Sequence, residues 1–124
     1  MKIHESAENY LETILILQKR QGQVRSIDIA SELSFSKPSV SVAMKNLRLN
    51  GYIDVSKDGF ITLLDKGREI AEKMYERHTL FSDWLIALGV SPQVAAEDAC
   101  RIEHVISSET FEAFKAHAAK FKQP

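Results

Sequence analysis

The chain of 124 residues holds one cysteine, three prolines, five glycines and one tryptophan, and its formal net charge is −1. A single cysteine excludes a disulfide framework. With no secretory leader in the sequence, the expectation is a reducing, cytoplasmic setting in which Cys100 is either a small buried residue or a working thiol. No apolar run is long enough to span a bilayer, so no membrane partner is expected. The scattered glycines form no glycine-rich phosphate loop. A net charge near zero argues against a uniformly basic nucleic-acid binder.

Hydrophobic residues make up 44% of the chain, enough for one compact unit or two small lobes to fold without covalent staples. The charges are unevenly spread. Residues 35 to 57 carry Lys37, Lys45, Arg48 and Lys57 against Asp54, a balance of +3. Residues 74 to 112 carry Arg77 and Arg101 against Glu76, Asp83, Glu97, Asp98, Glu103, Glu109 and Glu112, a balance of −5. One segment is suited to phosphates and the other to cations, or both are solvated faces.

From Glu5 to Arg20, Ala7, Tyr10, Leu11, Ile14, Leu15 and Leu17 recur at helical spacing, with Glu8, Asn9 and Glu12 on the complementary side, and Gly22 stops the helix. Ser26 is the expected N-cap of a short helix over Ile27 to Leu33, and Ser34-Phe35-Ser36 forms a turn. Ser36 caps a second helix, Lys37 to Asn50, with Pro38 in its first turn and Val40, Met44 and Leu47 as its inner stripe. Tyr52 to Val55 and Phe60 to Leu63 are β-prone runs joined by Ser56-Lys57-Asp58-Gly59, a hairpin signal. Two helices with a tight turn followed by a hairpin with Lys57 at its tip predict a winged helix-turn-helix.

Asp65 is the expected cap of a long linking helix, Lys66 to about Leu88, with an apolar stripe through Ile70, Met74, Leu80, Phe81, Trp84, Leu85 and Leu88. Gly89-Val90-Ser91-Pro92 breaks the chain and starts a fifth helix. Ser107-Ser108 starts a sixth, which runs through Phe111, Phe114 and Ala118 to a basic end at Lys115, Lys120 and Lys122. The fold class is therefore mostly α, with residues 1–72 a winged helix-turn-helix DNA-binding domain and residues 73–124 a second, helical domain.

Cys100, Glu103 and His104 stand at i, i+3 and i+4 on the fifth helix and share a face. Thiolate, carboxylate and imidazole are the donors that hold a divalent transition metal, although an ordinary amphipathic helix can present the same three. Asn9 and Glu12 on the first helix are either a solvated pair or further donors, and His78 in the linking helix is either a hydrogen-bonded core residue or a ligand.

Several of these motifs, in this order, resemble the diphtheria-toxin-repressor and manganese-transport-regulator family of metal-dependent transcription factors: Glu8-Asn9-Tyr10-Leu11-Glu12, the winged helix-turn-helix, Glu76-Arg77-His78 and Cys100-Arg101-Ile102-Glu103-His104. The resemblance covers almost the whole chain. It implies a repressor of metal homeostasis with donors from three helices, Asn9, Glu12, His78, Cys100, Glu103 and His104, and makes residues 73–124 a metal-binding and dimerisation domain.

Three positions depart from the family pattern. Asn9 stands where the iron branch has Met and the manganese branch Asp, whereas Cys100 follows the iron branch. Ala96 and Ser82 replace two ancillary ligands. The remaining set predicts one strong site, with any second site weaker. Thiolate with imidazole favours Fe²⁺, with Mn²⁺, Zn²⁺, Co²⁺ and Ni²⁺ as the other candidates. The chain ends soon after the sixth helix, without the SH3-like domain of the iron branch, which points instead to the manganese branch; the donor chemistry carries more weight here.

The expected mechanism is a homodimer on double-stranded DNA, in which metal occupancy fixes two recognition helices at the ~34 Å spacing of a pseudo-palindromic operator. Expected DNA contacts are Arg25, Ser36, Lys37, Ser39, Ser41, Lys45 and Lys57; expected dimer contacts are Phe81, Trp84, Leu85 and Val105, which could equally form the chain's own core. The alternative is a winged-helix regulator sensing oxidation of Cys100 or an organic ligand. An enzyme with Cys100, His78 and Glu12 as nucleophile, base and orienter lacks an oxyanion motif to support it.

Overall fold

The computed structural model describes residues 5–121, and Lys122 of the basic terminal turn lies outside them. Among the described residues, six helices and one hairpin follow in the order α1 (Glu5–Gln21), α2 (Ser26–Leu33), α3 (Lys37–Leu49), β1 (Ile53–Val55), β2 (Ile61–Leu63), α4 (Asp65–Ala87), α5 (Pro92–Val105) and α6 (Ser108–Phe121). The chain divides into two compact units, Met1–Lys73 and Met74–Pro124, with the division falling inside α4.

In the first unit, α1 ends where the chain turns left-handed at Gly22 (φ 86°), whose N–H donates to Gln18 O at 2.9 Å. A Cβ is unfavourable at that φ, so glycine suits the end of the helix. The expected cap at Ser26 is one residue late. Ser26 is the first residue of α2, and Arg25 is the extended N-cap, its N–H donating to Asp28 Oδ2 at 2.8 Å. An aspartate three residues into a helix can satisfy the cap's own N–H, so no hydroxyl is needed there. The Arg25 guanidinium lies 4.4 Å from the centre of the Phe60 ring, a contact sequence spacing does not reveal.

Ser36 is the cap of α3, as expected: its Oγ accepts from Ser39 N at 3.3 Å and donates to Ser39 Oγ at 2.8 Å. The hairpin pairs Ile53 with Leu63, Asp54 with Thr62 and Val55 with Ile61. Gly59 takes φ 87° in the turn, and Ile61 N donates to Val24 O at 2.8 Å, joining the loop before α2 to the sheet.

Period-3.6 positions from the helices and alternate positions from the strands meet in one core. Leu11, Ile14 and Leu17 of α1, Ile29 of α2, Val40, Met44 and Leu47 of α3, and Ile53, Ile61 and Leu63 of the hairpin are all buried. Each such side chain contributes about 1.5–3 kcal/mol relative to exposure. Asp65 is the first residue of α4 rather than the cap before it, and the α4 start is packed closely. A Cβ at Gly67 would overlap the Tyr52 carbonyl oxygen, which accepts from Leu64 N at 3.0 Å.

The second unit has a small aromatic core. Phe81, Ala99 and Phe111 are buried, and the Phe81 ring centre lies 6.2 Å from Phe111 and 5.5 Å from Phe114. Ser91 caps α5 by accepting from Val94 N at 3.4 Å, and Ser107 accepts from Thr110 N at 3.1 Å at the start of α6. No helix among the described residues is long and apolar enough to cross a membrane.

Candidate metal centre and nucleic-acid interface

The last turn and a half of α5 carries the chemistry of the second unit. One ligand atom from each of Cys100, Glu103 and His104 lies within 4.8 Å of the others. The i, i+3, i+4 spacing produces this directly, because those positions stack on one helical face. Glu103 is fully buried, and its Oε2 lies 3.1 Å from His78 Nδ1 on α4. Its Oε1 lies 3.3 Å from His104 Nε2, whose side chain is 2% exposed.

A carboxylate taken wholly out of water costs several kcal/mol unless cationic charge or hydrogen bonds offset it. Two imidazoles and a half-buried thiol surround this one. The set fits a divalent transition metal: borderline nitrogen donors, one anionic oxygen and a sulfur that ligates as thiolate. Four of the six expected donors, His78, Cys100, Glu103 and His104, therefore fall in one unit around one carboxylate.

Asn9 and Glu12 lie on α1 in the first unit. Asn9 is partly buried, and its carbonyl accepts from Thr13 Oγ1 at 2.8 Å. Glu12 is 3% exposed, which overturns its reading as a solvated residue. Amphipathic patterning assigns charged residues to the water side, and only tertiary structure reverses that assignment.

The expected DNA-contacting residues share a different character. Arg25, Ser36, Lys37, Ser39, Ser41, Lys45 and Lys57 are all exposed. Ser41 and Lys45 of α3 line a cleft with Arg48, Ser26, Val55 and Ser56. Cations and hydroxyls on one concave wall suit phosphate oxygens. Arg48 and the two flanking serines are the additional residues there. Arg48 follows Lys45 by three and Ser41 by seven, so its position on that face was available from helical spacing.

The four dimer candidates separate. Phe81 is 5% exposed and packs in its own unit's core. Trp84 is partly buried, with Phe114 at 5.1 Å and His117 stacked at 5.6 Å, and Leu85 is also partly buried. Val105 is 74% exposed at the end of α5.

Two family models match the chain: the iron dependent repressor N-terminal DNA binding domain over residues 2–60, and the iron dependent repressor metal binding and dimerisation domain over residues 64–123. The transcriptional regulator MntR of Escherichia coli O6:H1 is 34% identical over 116 residues, covering 94% of this chain and 75% of the relative. The solved structure of the manganese regulator SloR is similar with a TM-score of 0.80 at 28% identity, over 96% of this chain and 55% of that one. A manganese-dependent transcriptional repressor in complex with manganese is similar with a TM-score of 0.81 at 28% identity, over 90% and 51%. The chain thus spans about half the length of those two solved proteins.

Proposed function

The chain belongs to the iron-dependent repressor family of metal-responsive DNA-binding transcriptional regulators, and from that membership we propose that it represses genes of metal homeostasis as a homodimer, with a divalent metal as corepressor. The family is one of repressors, which removes the support for Cys100 as an enzyme nucleophile. The observation that carries the metal reading is Glu103, a fully buried carboxylate between two imidazoles and one turn from a thiol.

We assign His78, Cys100, Glu103 and His104 as donors, and take Asn9 and Glu12 of α1 from the family resemblance as the others. A divalent cation supplies the positive charge that offsets the Glu103 carboxylate and the Cys100 thiolate, with protons released from the donors on binding. Residues 1–72 supply the DNA contacts: Lys37, Lys45, Lys57 and Arg25 on phosphates, and Ser36 at the cap of α3 with Ser39 and Ser41 on that helix, near the bases. Arg48 joins the phosphate set. Residues 73–124 supply the other four donors and hold the second protomer, with Trp84, Leu85 and Val105 as contacts.

A twofold protein reads a pseudo-palindrome when its recognition helices are ~34 Å apart. Apparent affinity falls by the fraction of dimers holding that spacing, so ordering the dimer raises affinity without a new base contact. Fe²⁺ is the favoured ion because Cys100 and two imidazoles make the set softer than an all-oxygen site. SloR is a manganese regulator, and Mn²⁺ is accordingly the principal competitor. The deciding experiment is an anaerobic DNA-binding titration with Fe²⁺, Mn²⁺, Co²⁺ and Zn²⁺ in parallel. Activation by Fe²⁺ below the Mn²⁺ concentration required supports the assignment, the reverse order moves it to Mn²⁺, and binding indifferent to all four removes the metal reading.

A further inference from the structure

Arg77 is 4% exposed, yet its hydrogen bonds go to neutral groups. Its Nη1 donates to Glu103 O at 2.9 Å and to Ile106 O at 3.0 Å, and its Nη2 donates to Ser108 Oγ at 3.5 Å. The guanidinium carbon lies 5.4 Å from the centre of the Phe111 ring. A buried arginine ordinarily meets a carboxylate. Here its charge faces the carbonyl end of α5, where the helix dipole is negative.

The local chain explains the need. The last four carbonyls of a helix have no partner within it. After Val105, Ile106 is extended (φ −90°, ψ 150°), so α5 has no left-handed cap to satisfy them. Arg77 supplies that cap from another helix, and the turn it holds is the one bearing Glu103 and His104. Its neighbour His78 contacts the Glu103 carboxylate at 3.1 Å, while Arg77 holds the Glu103 carbonyl at 2.9 Å. Consecutive helical residues diverge by about 100°, so α4 grips one residue of α5 at both its main chain and its side chain.

We infer that Arg77 is the positioning residue of the metal centre. It fixes the α5 terminus so that Cys100, Glu103 and His104 keep the spacing one ion requires. It reaches Glu103 only at the main-chain carbonyl and touches no donor atom, and its role rests on the metal reading above. Through Ile106 and Ser108 the same fork ties that turn to the start of α6.

The test uses the full chain, loaded with Co²⁺ under anaerobic conditions. Arg77→Lys keeps the charge and loses the fork. Its expected result is a Co²⁺ affinity lower by about tenfold or more, the range for losing a group that orients a ligand, with a changed thiolate-to-cobalt absorption band. Phe114→Leu, which loosens the aromatic core without touching the fork, is expected to lower the melting temperature and leave the cobalt spectrum as in the wild type. Wild-type affinity and spectrum in folded Arg77→Lys overturn the proposal. An equal spectral change in Phe114→Leu also overturns it, because a general loosening then accounts for the effect.

A second measurement needs no variant and decides the case if Arg77→Lys does not fold. The arginine side-chain nitrogens are followed by NMR as Zn²⁺ is added to the wild-type protein. The expected result is a shift of the Arg77 signals together with slowed rotation of the guanidinium, with Arg48, exposed in the first unit, as the reference. Zn²⁺ that binds and leaves Arg77 unchanged overturns the inference alone. Zn²⁺ that does not bind overturns the metal reading beneath it.

Discussion

Glu103→Gln separates a metal ligand from a structural carboxylate, because the two roles predict different responses. The amide is nearly isosteric, and it can keep the hydrogen bond with His78 at 3.1 Å and the approach to the His104 imidazole at 3.3 Å. It also removes a fully buried charge. The metal-free variant should therefore melt within about 1 kcal/mol of the wild type, since the desolvation relieved offsets the weaker contacts. With metal the outcome differs. At a free metal concentration about 1,000 times Kd, binding stabilises the wild type by about 4.1 kcal/mol. Loss of a group that merely orients a ligand costs 10–100-fold in affinity, so loss of the anionic donor itself should cost about 100-fold or more. The same metal is then only about 10 times Kd, and the stabilisation falls to about 1.4 kcal/mol. The difference of about 2.7 kcal/mol corresponds to a melting-temperature gap of roughly 10 °C for a chain this size. Calorimetry with and without Co²⁺ measures both quantities. An equal metal-induced rise in wild type and variant, or a metal-free variant destabilised by about 3 kcal/mol or more, refutes the reasoning.

Other outcomes follow from single contacts. Lys45→Ala should weaken binding to all DNA sequences alike and reduce the salt slope by about 0.9, one phosphate's share; an unchanged slope in a salt series removes Lys45 from the interface. Gly67→Ala forces a methyl against the Tyr52 carbonyl oxygen and should cost about 1–3 kcal/mol in urea unfolding, with full stability contradicting the packing. The Glu32 carboxyl is held below its ordinary value of 4.5 by the hydrogen bond from Arg20 at 2.8 Å. Its small contribution is complete above that value, disappears as pH falls through the depressed one, and weakens with salt; a Glu32→Gln variant with an unaltered acid unfolding curve speaks against it.

The parts of the fold dictated by local chemistry were legible from residues alone. Ser36 caps α3 with Pro38 in its first turn, Pro92 begins α5 behind Ser91, Asp58-Gly59 turns the hairpin, and Cys100, Glu103 and His104 converge because they share a helical face. What was not legible depends on other elements. Ser26 looked like a cap because its hydroxyl is suited to one, but Asp28 satisfies the position before it. Phe81 fits an interface stripe as well as a core stripe, and its ring contacts with Phe111 and Phe114, on a helix 30 residues later, do not show in its own spacing. Arg77 beside His78 reads as a surface charge until the uncapped end of α5 is set against it.

The central claim is that grip on DNA follows occupancy of the site around Glu103. Its most direct measurement is the affinity of chelator-stripped and Fe²⁺-loaded protein, under anaerobic conditions at fixed salt, for one duplex enriched from a random pool by the loaded form. At least a tenfold loss on stripping, recovered on reloading, is the predicted result; equal affinity before and after stripping contradicts it.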